Sequence, residues 1–147
     1  MKIISSAFQN NQFINNKYTC DGPDINPPLE FQDIPKNTES LVLIVDDPDA
    51  IKPAGKVWDH WIIFNIPPKT RGILENKEPE GIHGIGTSNN LNYHGPCPPD
   101  GKHRYFFKLY ALNKKLDLIE GSTKHEIESA MKNNIIDQAE LIGLYKR

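Results

Sequence analysis

Residues 95–110 read GPCPPDGKHRYFFKLY. The first half holds three prolines and two glycines, and the second half is an aromatic and apolar run of the kind that forms a core strand. Side chains alternate between the two faces of a strand, so His103 and Tyr105 share one face, and Arg104 points away as an ion-pair residue. The stretch predicts a stiff loop that presents an imidazole and a phenol at a strand start. The simpler alternative is an ordinary proline-rich turn.

Two further apolar runs predict strands. Residues 40–47 (SLVLIVDD) are apolar until two closing acids, as in a strand buried on both faces, and residues 57–67 (VWDHWIIFNIP) are rich in β-branched and aromatic side chains. A threonine followed three positions later by a glutamate has capping-box spacing and predicts a helix over 123–133. Residues 139–146 (AELIGLYK) predict a returning strand. The pattern indicates a mainly β fold with one helix near the C-terminus.

The bulk composition limits the kind of protein. A chain of 147 residues, 37% hydrophobic and 24% charged, fits one folded domain, which we place at 1–147. A formal net charge of −2 excludes nucleic-acid binding driven by bulk charge. Neither a transmembrane run nor a leader-like start is visible, so we expect a cytoplasmic protein. For Cys20 and Cys97, distant in sequence and outside any CxxC motif, we expect two reduced thiols, with a disulfide as the alternative.

An acidic cluster, Asp46, Asp47 and Asp49, follows the first apolar run. Three carboxylates at a strand end could bind a metal, orient a histidine or form a solvated turn, and their spacing does not fit a calcium loop.

The sequence WDHW at 58–61 lies inside the second predicted strand. Alternation places Trp58 and His60 on one face, with Asp59 and Trp61 on the other. His60 is either a core histidine or a site residue, and an acid from the neighbouring strand end would favour the site.

Familiar catalytic motifs are missing from the chain. We find no G-x-S-x-G, no H-E-x-x-H and no phosphate-binding glycine loop. A Cys97–His103 nucleophile pair is disfavoured, because prolines flank Cys97 and no helix N-terminus is present to lower its pKa.

Taken in order, DDPDA, WDHWIIFNIP and YHGPCPPDGKHRYFFKLYAL resemble the phosphatidylethanolamine-binding protein family, which includes the Raf kinase inhibitor protein of animals. The likeness extends to YTCDGPDINPPLEF near the start and to the late helix and final strand, so it covers nearly the whole chain. The compact length resembles the prokaryotic branch. The resemblance implies a β fold in which a large central antiparallel sheet packs against a smaller sheet, with a few peripheral helices.

The resemblance also implies a small preformed pocket for phosphate, phosphorylated head groups, acetate or similar anions. The positions that match the family's motifs in this sequence are Asp47, Asp49, Trp58, His60, Gly95, Cys97, Pro98, Pro99, His103 and Tyr105. Tyr93 and His94 are candidates for the rim, where His94 either adds a third imidazole or points to solvent. Two departures stand out. His94 replaces the first of two glycines that prokaryotic members commonly carry before PCPP, and Ile51 stands where a proline usually follows DPDA.

These residues lead to the hypothesis of a non-catalytic binding module without metal or cofactor. His60, His103, Tyr105 and backbone N–H groups would donate to an oxyanion, while Asp47 orients a histidine and Asp49 could tie down its loop. The alternative is an inhibitor of a kinase or serine protease that acts through loops near 76–92. A hydrolytic enzyme is favoured less, because no nucleophile is evident.

Overall fold

The computed structural model describes residues 1–147 and consists mainly of β-strands. The strands are β1 (Lys2–Ile4), β2 (Gln12–Phe13), β3 (Leu29–Gln32), β4 (Ser40–Asp47), β5 (Trp58–Ile66), β6 (Gly72–Ile73), β7 (Ile82–His83), β8 (Lys102–Leu112) and β9 (Ile135–Lys146). The two α-helices are α1 (Ile51–Ala54) and α2 (Lys124–Met131), and short 3₁₀ turns cover Asn16–Tyr18 and Pro48–Ala50. All three predicted apolar strands are present, and the returning strand at the C-terminus is longer than predicted.

The larger sheet has six strands in the order β2-β9-β8-β4-β5-β7. All neighbours are antiparallel except β2, which pairs in parallel with β9. Strand β4 lies between β5 and β8, and each of its eight residues is buried. The prediction that this strand is covered on both faces is therefore confirmed, and it explains why its sequence is continuously apolar.

The smaller sheet has three strands in the order β1-β3-β6 and covers one face of the larger sheet. The main core lies between the two sheets, with Ile3 and Phe31 from the smaller sheet packed in one cluster with Leu43 and Phe107 from the larger one. This two-sheet arrangement confirms the predicted fold class.

Helix α2 covers the other face of the larger sheet. Thr123 accepts a hydrogen bond from the backbone N–H of Glu126, whose side chain accepts from the N–H of Thr123, so the predicted capping box is present. Ile127 and Met131 are buried in a second core cluster with side chains of β4 and β5. The predicted helix over 123–133 is thus confirmed, with its last two residues lying beyond the helix. Neither helix is long and apolar enough to cross a membrane.

The expectation of two reduced thiols is wrong. Cys20 and Cys97 form a disulfide across a separation of 77 residues, with their Cα atoms 5.4 Å apart. The backbone N–H of Cys20 also donates to the carbonyl of Pro96, so the two loops meet along their backbones. Sequence spacing could not reveal this contact, because the fold brings the two loops together. The bond does not support the expected cytoplasmic location, since disulfides persist mainly in oxidising compartments.

Replacing both cysteines with serine should lower the free energy of unfolding by about 4 kcal/mol, because the disulfide closes a long loop in the unfolded chain. Urea denaturation of the oxidised protein and of the C20S/C97S variant measures the difference. The wild-type protein with excess reductant is the control and should match the variant. Equal midpoints for all three samples would show that the bond contributes nothing to stability.

Candidate functional site

A cavity of about 260 Å³ opens where β4 ends and where β5 and β8 begin. These three strands are neighbours in the larger sheet, so residues far apart in sequence meet at one sheet end. The cavity combines polar groups with an apolar wall. Its lining residues are Asp47, Ala50, Pro53, Ala54, Trp58, His60, Ser88, His94, Cys97, Pro98, Pro99, His103 and Tyr105.

Asp47 and His103 form a buried pair at the cavity. Nδ1 of His103 donates to Oδ2 of Asp47 over 2.6 Å, and the two residues are only 4% and 3% exposed. The other carboxylate oxygen of Asp47 accepts from the backbone N–H of Asp49 at 2.8 Å. Asp47 thus orients a histidine, and that histidine is His103 rather than His60.

Nε2 of His103 is also held by a carboxylate, that of Asp100, at 3.0 Å. The Asp100 side chain is 60% exposed and belongs to the proline-rich loop. Burial by itself lowers the pKa of His103, but the hydrogen bonds to Asp47 and Asp100 raise it above the usual histidine value. His103 therefore favours the imidazolium form. The sequence analysis did not include Asp100. Its position three residues before His103, with Gly101 between them, was a usable signal, and Gly101 adopts a left-handed φ of 53° in the structure.

A β-bulge in β5 determines where His60 points. The register runs from the Val45–Trp61 pair directly to the Asp46–Asp59 pair, so His60 has no opposite residue. The predicted alternation is therefore wrong for Trp61, which lies in the core between the sheets, whereas Asp59 pairs with Lys124 of α2 on the other face. The bulge allows His60 and Trp61 to lie on the same side of the sheet.

His60 is 4% exposed, and its environment differs from that of His103. Its Nδ1 lies 2.7 Å from the carbonyl oxygen of His94, which can only accept a hydrogen bond, so Nδ1 carries the proton. Burial lowers the pKa of His60 to about 4. His60 is therefore neutral near neutral pH, and only its Nε2 remains without a hydrogen bond in the protein.

Tyr105 lies next to both histidines in the cavity wall. Its ring centroid is 5.3 Å from that of His60 and 6.5 Å from that of His103. The hydroxyl is buried and has no hydrogen-bond partner. Burial and the nearby carboxylates of Asp47 and Asp49 raise the pKa of Tyr105, so the hydroxyl keeps its proton and can donate.

The loop of residues 93–99 contributes another wall of the cavity and is held by hydrogen bonds to residues 18–24. Tyr93 donates its hydroxyl to the carbonyl of Tyr18, and the N–H of Gly95 donates to Asp24 at 2.9 Å. A side chain at Gly95 would collide with the backbone of this neighbouring loop. Tyr93 and Gly95 position the loop without lining the cavity, and His94 does line it, with its ring stacked 6.2 Å from that of His60.

The three acids of the DDPDA segment have three different surroundings. Asp46 faces α2 and accepts from Lys124 at 3.2 Å. Asp47 faces the cavity. Asp49 lies outside the cavity lining, and accepts hydrogen bonds from both the side chain and the backbone N–H of Arg104. The predicted ion-pair role of Arg104 is confirmed, and Asp49 ties the turn after β4 to the start of β8.

The family model described as "Phosphatidylethanolamine-binding protein" matches residues 4–146. The chain belongs to that family. Within this phosphatidylethanolamine-binding protein family, a UPF0098 protein of Methanothermobacter thermautotrophicus is 47% identical, and the alignment covers 100% of this chain and 99% of the relative.

Solved structures of the family agree with the fold. A Chlamydia trachomatis protein, solved as a candidate homologue of phosphatidylethanolamine-binding protein, is 42% identical with a TM-score of 0.93, covering 99% of this chain and 97% of that one. YbcL of Escherichia coli, described as a new member of the mammalian family, is 26% identical with a TM-score of 0.90, covering 99% and 98%. The sheet end that carries the cavity thus belongs to a fold shared with both of these structures.

Two of the three cavity histidines, His60 and His103, should have pKa values shifted in opposite directions from the ordinary histidine value of about 6.5. In an NMR titration of the imidazole resonances, His60 should change near a pKa of about 4, and His103 above the ordinary value. D47N should lower the pKa of His103 and leave that of His60 unchanged. D117N, which removes an exposed carboxylate outside the cavity, is the matched control. Identical titration of both rings near the ordinary value would contradict the assignment.

Proposed function

We propose that the protein binds a small oxyanion, a phosphate or a phosphorylated head group, in the cavity at the ends of β4, β5 and β8. The observation that carries the proposal is the buried Tyr105 hydroxyl, which has no hydrogen-bond partner and belongs to a residue of the cavity lining. Buried polar groups are nearly always hydrogen-bonded, so an orphaned donor in a cavity wall indicates a missing ligand.

The charge next to this hydroxyl suits an anion. His103 favours the imidazolium form because Asp47 and Asp100 hold both of its N–H groups. A hydrogen bond from a charged donor to an oxyanion is stronger than one between neutral groups, above all in a partly dry site. Nε2 of His103 already donates a hydrogen bond to an anionic oxygen, that of the exposed Asp100 carboxylate. A ligand that reaches Nε2 has to displace Asp100, which lowers the net affinity.

The apolar wall limits the size of the organic part. Trp58, Ala54 and the pair Pro98 and Pro99 face the cavity, and its volume of about 260 Å³ lies just below the usual range for small-molecule pockets. Such a space fits inorganic phosphate or a short head group. The anchored loop keeps the wall in place before binding, which reduces the entropy lost on association.

The site favours binding over catalysis. Cys97, whose sulfur would be the strongest nucleophile at the cavity, is held in the disulfide. Ser88 also lines the cavity, but none of the imidazoles is hydrogen-bonded to it, whereas an activated serine needs an adjacent base.

Inhibition of a kinase or protease through the loops near 76–92 has no supporting contact of its own. Glu78 in these loops accepts from the indole N–H of Trp61 and the backbone N–H of Tyr93. Asn90 donates to the carbonyl of His60. Both side chains are therefore used to hold the cavity wall, and the anion-binding proposal remains the one that the geometry supports.

Removing the Tyr105 hydroxyl tests the proposal. Y105F should weaken binding of inorganic phosphate about tenfold in calorimetry, because it deletes one ligand donor. Its free energy of unfolding should stay unchanged or rise, since the hydroxyl has no partner in the free protein. Y110F, on the other face of β8, is the control and should bind phosphate like the wild type. An unchanged phosphate affinity in Y105F would show that the Tyr105 hydroxyl does not contact the ligand.

Affinity should also follow the protonation of His103. Because its pKa is raised, the imidazolium persists above the ordinary histidine range. Binding of inorganic phosphate, which keeps a P–OH group over this range, should weaken as pH rises through that raised pKa. H103Q should bind the ligand weakly at every pH and should lose this fall in affinity. H125Q, at an exposed position of α2, should keep the pH dependence of the wild type. A wild-type affinity that is constant from about pH 6 to pH 9 would exclude His103 as the charged donor.

A further inference from the structure

The hydrogen bonds of the cavity divide its polar groups into donors and acceptors. Both N–H groups of His103 donate to carboxylates, and Tyr105 has a free hydroxyl. Both carboxylate oxygens of Asp47 already accept, one from His103 and one from the N–H of Asp49. His60 offers a buried nitrogen lone pair without a partner, whereas His94, whose ring nitrogens also lack a hydrogen bond, has a side chain that is 39% exposed.

The tautomer of His60 is determined by geometry. A carbonyl oxygen has no proton to give, so the 2.7 Å contact with His94 places the hydrogen on Nδ1. A neutral imidazole with its proton on Nδ1 has an acceptor at Nε2. Nε2 of His60 therefore has no proton to donate to the ligand. This differs from the expectation from sequence that both His60 and His103 donate to the oxyanion.

We propose that Nε2 of His60 accepts a hydrogen bond from a hydroxyl of the bound oxyanion itself, so that the site selects a protonated oxyanion over a fully ionised one. The inference rests on the proposed function and adds the ligand class. Hydrogen phosphate and dihydrogen phosphate qualify because each keeps a P–OH group, whereas a phosphomonoester head group keeps one only below its second pKa of about 6. Sulfate has almost the same size and shape but no proton, so its oxygen would face the lone pair of Nε2 directly.

Burial prevents the site from correcting this mismatch easily. His60 is 4% exposed and packs against the rings of His94 and Tyr105. Its pKa is lowered to about 4, so protonating Nε2 for sulfate costs free energy near neutral pH. A buried acceptor that meets another acceptor loses its hydration without compensation, which is how sites reject ligands that lack one hydrogen.

Calorimetric titration with inorganic phosphate and with sulfate, at equal ionic strength and about pH 7, tests the inference. Phosphate should bind about tenfold or more tightly than sulfate, because one hydrogen bond and one unpaired acceptor separate the two ligands. Equal affinities would overturn it, as would sulfate binding accompanied by proton uptake, measured by repeating the titration in buffers of different ionisation enthalpy. Failure of both anions to bind would instead overturn the proposed function.

The variant H60N separates the acceptor from the rest of the ring. Asparagine keeps an N–H group for the His94 carbonyl but has no atom at the Nε2 position. H60N should lose about tenfold in phosphate affinity, with sulfate affinity within about twofold of the wild type, so the preference disappears. An unchanged phosphate-to-sulfate ratio in folded H60N would overturn the inference. If H60N does not fold, the comparison of the two anions on the wild-type protein still decides the question.

Discussion

The hydrogen bond between Asp47 and His103 is the contact on which the cavity depends. It joins the last residue of β4 to the second residue of β8 and is buried on both sides. A charged pair at this depth is stable only when its remaining polar atoms are satisfied. Here the backbone N–H of Asp49 and the carboxylate of Asp100 supply those partners, so the turn after β4 and the proline-rich loop are drawn to the same point.

The two histidines show how environment gives one residue type two chemical roles. His103 lies between two carboxylates, which favour its charged form. His60 lies in the sheet bulge, bonded to a neutral carbonyl and enclosed by rings, which favours its neutral form. Their rings contact the same tyrosine, so a donor side and an acceptor side are created within one small cavity. That asymmetry is the basis for the proposed selection of anions by their protons and not by charge alone.

Much of the fold was readable in the sequence, and the reasons are local. The continuous apolar run of β4 predicts burial on both faces, and the capping box at Thr123 predicts the start of α2. The alternation of β8 places His103 and Tyr105 on one face, as observed. Such features depend on residues near one another in the chain, and the motifs that resemble a known family add the packing of a large sheet against a smaller one.

The remaining features depend on contacts between segments that are distant in the chain. The sequence determined which residues line up on each strand and that the chain belongs to a two-sheet β fold. It left open that His103 rather than His60 takes Asp47, that the bulge turns Trp61 into the core, and that Cys20 reaches Cys97. These outcomes follow from the register between strands and from which loops contact one another in the folded protein. Those are set by the packing of the whole molecule, so no local pattern encodes them.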